Sequence, residues 1–263
     1  MMVAYCLQVW GFKGGQSWMN IKRYGVDAPF ALLIYTVFGV GLLLHAYVNR
    51  LNYPIGIEMT LGIILFLGAL IFLHTTAQGK YQLFDEAMHR LNLKPDSQVL
   101  DLGCGRGALL TRIAQQLGPA GKVTGLDLWL SRDQSHNKMA VTQKNVEDLG
   151  LANRVDLVTG DMAKLDFPNA SFDVVTSSFA IHNIKNEQAR INAVKEAIRV
   201  LKPGGHLMII DTGRNINEYG QVFQDAGLQI TQSMSLGFNG WWATPLTDSY
   251  VVAGNKPTSN TAK

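Results

Sequence analysis

The sequence predicts an α/β fold, a mostly parallel seven-stranded sheet with helices on both faces, preceded by two transmembrane helices. Three observations carry this expectation. Two long apolar runs lie at 28–48 and 55–73, strand-like and helix-like segments alternate from residue 98 onward, and a Gly-rich turn follows the first strand-like run. With 263 residues, 47% of them apolar, the chain is long enough for one sizeable domain and an appendage. The expected division is a cytosolic or interfacial arm over 1–27, a helical hairpin over 28–73, the α/β domain over 74–255 and a disordered tail over 256–263.

The run 28–48 has no formal charge, and a helix of that length spans roughly 30 Å, the thickness of a hydrocarbon core. After a short polar turn, 55–73 carries one charge, Glu58, a turn from its start. Two adjacent helices apolar on every face are hard to bury in so small a domain, so they read as membrane spans rather than core helices. A cleaved signal peptide fits less well, because its apolar stretch would lie nearer the N-terminus and end at small residues. Lys13, Lys22 and Arg23 precede the pair, Lys80, Arg90 and Lys94 follow it, and Arg50 lies between, which predicts both termini and the α/β domain on the cytoplasmic side. Trp10, Phe12, Trp18 and Tyr24 either anchor the arm at headgroup level or pack on the domain. Glu58 either reaches water or faces a lipid or quinone headgroup. Gly39, Gly41, Gly62 and Gly68 form no clean small-residue stripe, so the oligomeric state stays open.

The net charge of +3 is spread out, with none of the basic runs that track phosphates, so no nucleic-acid partner is expected. The two cysteines, Cys6 and Cys104, are far apart and suggest neither a disulfide framework nor a metal knuckle. A reducing, cytosolic domain without a metal fits that usage.

Along the domain, a lead-in helix is expected over 81–93, then strands at 98–102, 122–127, 155–159, 172–177 and 206–211, alternating with helices at 108–117, 136–149 and 187–200. A helix at 216–226 and two strands at 228–236 and 247–253, joined by a loop rich in Gly and Trp, complete the pattern. Lys202-Pro203-Gly204-Gly205 reads as a turn that closes a helix and opens the fifth strand, with no ligand required.

The chemistry concentrates at strand ends. In VLDLGCGRG (99–107) an acid, Asp101, precedes a turn in which Gly103 and Gly105 let a ligand approach bare backbone. A dinucleotide site would also fit that turn alone. Asp101 suits a zwitterionic amino-acid group better than a pyrophosphate. Asp127 in GLDLW stands where an acid takes ribose hydroxyls, and Asp161 and Met162 in GDM offer an acceptor for an adenine amino group and a soft surface for its ring.

With FDVVTSSFAIHNI at the fourth strand and VLKPGGHLMIID at the fifth, the chain from about 81 to 255 resembles the class I S-adenosylmethionine-dependent methyltransferases, in particular the quinone-biosynthesis and small-molecule group. The resemblance implies a Rossmann-like sheet and S-adenosyl-L-methionine as cofactor. It sets Asp101, Gly103 and Gly105 at the methionine end, Asp127 at the ribose, Asp161 and Met162 at the adenine, and Ser177 or Ser178 at the sulfonium, and Leu128 is counted with them as cofactor-binding. It also lays 178–183 over the transferable methyl, with His182 as base, as substrate orienter, or as a loop hydrogen-bonding group. The stretch WLSRDQSHN (129–137) is either a lid or a helix-start loop capped by Ser135 or Asn137. Trp241 and Trp242 line an acceptor pocket, dip into lipid, or pack on the lead-in helix. The function expected is methyl transfer to a hydrophobic acceptor, lipid or quinone-like, at the bilayer. The alternatives are a membrane-protein acceptor, a catalytically idle binding module, or a nicotinamide-dependent oxidoreductase.

Overall fold

The computed structural model describes residues 14–51, 54–130, 134–213 and 216–258. Cys6, Trp10, Phe12, Lys13, the middle of the 129–137 stretch and the end of the expected tail lie outside them.

A first helix, α1 (Gly14–Tyr24), leads to the long apolar pair α2 (Pro29–Asn49) and α3 (Gly56–His74). Both members of the pair are long and apolar enough to cross a membrane. They are not core helices: Phe30 is 75% exposed and Ile57 79%. The two pack against each other through glycines, where a Cβ on Gly39 would come within 2.8 Å of the Phe66 backbone nitrogen and one on Gly62 within 2.9 Å of Leu43. Gly41 faces open space. At the turn end, Glu58 lies 3.0 Å from His45 Nδ1.

The helix does not stop where the apolar run ends. α3 passes through a π turn, Thr75–Gly79, into α4 (Lys80–Met88), so hairpin and lead-in helix are one continuous rod. The rod ends before the expected residue 93, where Asn92 adopts a left-handed φ of 49°. Tyr81, Leu83, Phe84, Ala87 and Met88 are buried, and most of them join the core on one sheet face.

Seven strands follow in the spatial order β3-β2-β1-β4-β5-β7-β6: β1 (Gln98–Leu102), β2 (Lys122–Asp127), β3 (Val155–Thr159), β4 (Phe172–Ser178), β5 (Leu201–Thr212), β6 (Gln229–Ser235) and β7 (Ser249–Asn255). The first five pair parallel and β7 runs antiparallel to β5 and β6. Between them stand α5 (Ala108–Gln116), α6 (Met139–Asp148), α7 (Glu187–Val200) and α8 (Ile216–Asp225). Adjacent side chains on a strand point to opposite faces, so Val99 enters one core with Leu110, Ile113 and Phe84, while Leu100 enters the other with Val175, Ile198 and Phe223. This is the Rossmann-like sheet the sequence predicts.

Two boundaries move for physical reasons. The helix expected from 136 begins at Met139, because His136 is left-handed (φ 55°) and the Asn137 side chain turns inward instead of capping. β5 begins at Leu201, yet its register jumps from Phe172↔Leu201 to Val174↔His206, so 202–205 loop outward as the expected turn, with Gly204 at φ 77°.

Overpacking at a tight helix contact costs about 1–3 kcal/mol, whereas Gly to Ala on an open helix face is neutral to favourable. Gly39→Ala should therefore lower stability by about that amount in denaturant unfolding of the micelle-held protein, and Gly41→Ala should not. Equal effects of the two would contradict the hairpin packing described.

Candidate active site

Parallel register brings the carboxyl ends of β1 to β4 to one edge, with Leu102 opposite Leu126 and Ser177, and Asp127 opposite Thr159. The turns leaving those strands enclose a cavity of about 430 Å³, the place where ligands settle on open parallel sheets. Its walls include Gly103, Gly105, Asp127, Leu128, Asp161, Met162 and Ser178, seven of the positions the sequence points to.

The turn after β1 approaches its neighbours too closely for side chains. A Cβ on Gly103 would stand 2.2 Å from Ala180 Cβ, and one on Gly105 2.7 Å from Gln134 Oε1; both residues have positive φ. Asp127 holds the rim together. Its Oδ2 accepts from Gly105 N at 2.8 Å, and its Oδ1 from Trp129 N at 2.6 Å and Asn137 Nδ2 at 3.1 Å. Asn137 is thus a partner of Asp127 rather than a helix cap. Trp129, at φ 59°, anchors its ring by Nε1 donating to Thr159 Oγ1 at 2.8 Å.

Three expected site residues stand off the cavity wall. Asp101 is 0% exposed; Oδ1 accepts from Thr176 at 2.8 Å, while Oδ2 has no partner among the described residues. Burial above all, with the charge of Asp127 added and the Thr176 bond opposing, pushes its pKa from 3.8 up to about 7. Ser177 is buried and donates to Leu102 O at 3.0 Å, which leaves Ser178 as the serine on the cavity. His182 turns toward β5: its N donates to Asp211 Oδ2 at 3.0 Å, and its Nδ1 is bonded to Asp211 Oδ1. Asp211 also accepts from Tyr219 Oη at 3.0 Å.

Burial, reinforced by the charges of Asp101 and Asp127, pushes the Cys104 thiol well above its ordinary value, so it is a neutral wall atom at neutral pH and no nucleophile.

Sequence reasoning missed part of the wall. Phe84, legible in the sequence only as a helix residue, faces the cavity with Phe179 of the 178–183 stretch, left-handed at φ 52°, ring centroids 6.1 Å apart. Trp242 meets Phe179 edge-to-face at 5.3 Å and Phe72 of α3 likewise at 5.2 Å, so an aromatic chain links cavity and hairpin. Trp241 packs on Phe238. The loop carrying them runs up the hairpin, since a Cβ on Gly68 would meet Tyr35 and Ala243, and Leu246 at its tip is 93% exposed. Asp27, Lys80 and Gln134 also line the cavity. The first two were legible as the acid before one apolar helix and the base after the other, which a hairpin must bring together.

The lining is compatible with S-adenosylmethionine: the glycine turn at Gly103 and Gly105 for the amino-acid end, Asp127 for a diol, Asp161 and Met162 for the base, with the unsatisfied oxygen of Asp101 behind. The buried Asp101 generates a pH test. The folded chain keeps a proton that the unfolded chain releases near pH 4, so stability falls as pH rises from about 4 to about 7. Asp101→Asn should flatten that slope in unfolding measured across the range, and an unchanged slope would refute the assignment.

Residues 99–205 match the model of a family described as a methyltransferase domain. Over 139 residues the chain is 37% identical to a demethylmenaquinone methyltransferase of Listeria welshimeri, covering 52% of this chain and 55% of that protein. The chain thus spans about half the length of the curated relatives it matches. Among solved structures, the [4+2]-cyclase SpnF superposes with a TM-score of 0.57 at 20% identity, over 70% of this chain and 83% of that one. A SAM-dependent methyltransferase from Aquifex aeolicus gives 0.51 at 23%, over 65% and 88%. At such identities the superpositions speak for the fold alone.

Proposed function

We propose that this chain, whose residues 99–205 match a methyltransferase-domain model, transfers the methyl group of S-adenosylmethionine to a hydrophobic, membrane-dissolved small molecule of quinone or lipid type. One observation carries the reading: the cavity that holds Asp127, Met162 and the glycine turn is also lined by Asp27 and Lys80, the roots of the exposed apolar hairpin. The relative from Listeria welshimeri, named for a menaquinone precursor, supports a quinone-type acceptor.

In this reading α2 and α3 span the bilayer, both termini and the domain face the cytoplasm, and the loop with Leu246 sits at the lipid boundary. A soluble cofactor then arrives from the cytosol while the hairpin keeps the domain among its acceptors, raising their effective concentration without new contacts. When bound, the cofactor supplies a methyl group already activated on a sulfonium. The protein's part is chiefly to position the partners and exclude water. Gly103, Gly105, Asp127, Leu128, Asp161 and Met162 hold the cofactor, Asp101 supports the turn from below, and Ser178 stands at the sulfonium side, with Ser177 bracing β4 behind it. Phe84 and Phe179 form the apolar wall over which an acceptor ring slides. His182 is a positioning residue: locked to Asp211, it fixes 179–183 against the cavity.

The test reconstitutes the whole chain in nanodiscs with labelled cofactor and compares demethylmenaquinone with a naphthoquinone of the same ring lacking the prenyl tail. Transfer to the tailed acceptor should be faster by about tenfold or more at equal bulk concentration. Equal rates for the two acceptors would overturn the membrane reading. In the same assay His182→Gln should lower turnover while leaving cofactor affinity and the pH profile in place. Loss of an ionising limb from that profile would make His182 a base instead.

A further inference from the structure

Lys80 is 2% exposed and ion-paired with Asp27, and both residues line the same cavity as Gly103 and Gly105. The pair sits in a worked bonding scheme. Thr76 Oγ1 donates to Asp27 Oδ2 at 2.8 Å and accepts from Asp27 N at 3.0 Å, while Gln134 Nε2 donates to Asp27 Oδ1 at 3.2 Å. Gln134 in turn accepts from Arg106 N at 2.9 Å, so it bridges the acid to the glycine turn.

A buried ion pair adds little net stability, because desolvation offsets the attraction, and an apolar pair of similar volume does as well or better. Fold support is thus a poor reason for charges at this spot. What distinguishes it is location. A cation and an anion stand side by side on the cavity wall, joined through Gln134 to the glycine turn at Gly105 and Arg106. Such a wall complements a molecule whose own end bears one carboxylate and one ammonium. A lysine ammonium has three donors, enough to hold both Asp27 and an incoming carboxylate.

Resting on the function proposed above, we infer that Lys80 and Asp27 clasp the carboxylate and the ammonium of the cofactor's amino-acid end, so that the two roots of the apolar hairpin complete the cofactor site. The ligand enters as a zwitterion and exchanges partners with the existing ion pair, with no bond made or broken. Cofactor affinity then depends on the hairpin's roots being in place, which couples cofactor loading to correct seating of the two apolar helices.

Two probes separate this from a structural role. S-adenosylhomocysteine carries the amino-acid end, and 5′-methylthioadenosine presents the same nucleoside without it. In titration calorimetry on the full chain in micelles, Lys80→Met should weaken S-adenosylhomocysteine by about ten- to a hundredfold, the weight of a lost charge-assisted bond. Binding of methylthioadenosine should stay close to wild type, and Lys80→Arg should recover most of the lost affinity. Asp27→Asn, which keeps the shape and the contact with Thr76, gives the same split and serves where Lys80→Met folds poorly. Parallel losses for both probes, or no loss for either, would overturn the inference. A folded wild-type chain that binds neither probe would instead sink the underlying methyltransferase reading.

Discussion

The carboxylate of Asp127 holds the functional edge of this molecule together. It stands at the end of β2, where parallel pairing with β1 and β3 fixes its height, and it accepts from the backbone of two different turns and from Asn137. A carboxylate that takes several N–H donors is a strong local organiser, since each charge-assisted bond is worth more than a neutral one. The glycine turn, the left-handed Trp129 and the start of α6 all depend on it. In the function proposed, the same oxygens meet the ribose, so one acid both shapes the site and reads the ligand.

A second constraint is mechanical. Because α3 runs without a stop through the π turn into α4, the apolar hairpin cannot move independently of the domain core. Thr75 donates to Trp241 O and Asn20 Nδ2 to Ala77 O at 3.3 Å, and Gly79 lets the Asn239 backbone approach closer than any side chain would permit. Arg106 of the glycine turn donates to Arg23 O at 2.7 Å, and Tyr24 bonds Thr111 at 2.8 Å, so the N-terminal arm closes the same joint from the other side. Of the four aromatics expected on that arm, Tyr24 packs on the domain and Trp18 is exposed, while Trp10 and Phe12 lie outside the described residues.

Much of this was legible in the sequence, for identifiable reasons. Alternating apolar runs report burial on both sheet faces, and glycines before a helix report a close backbone approach, so the sheet, the turn and the acids at the strand ends could be read directly. What periodicity does not carry is side-chain direction at chain reversals. His136 and Phe179 adopt left-handed backbone that no local pattern signals, and Ser177 and Ser178 differ in role because successive side chains on β4 point to opposite sides. His182 drew attention as an imidazole near neutrality, whereas its geometry ties it to Asp211. In the sequence Lys80 stands only as a flanking charge, one residue before the stretch that resembles known methyltransferases; the antiparallel hairpin is what sets it beside Asp27.

The most direct test of the account is titration calorimetry of the micelle-solubilised chain with S-adenosylhomocysteine, beside an Asp127→Ala variant whose helix content is checked by circular dichroism. The account predicts saturable binding by the wild type and its loss in the folded variant. A folded wild-type chain that binds nothing, or a variant that binds as well as wild type, would contradict it.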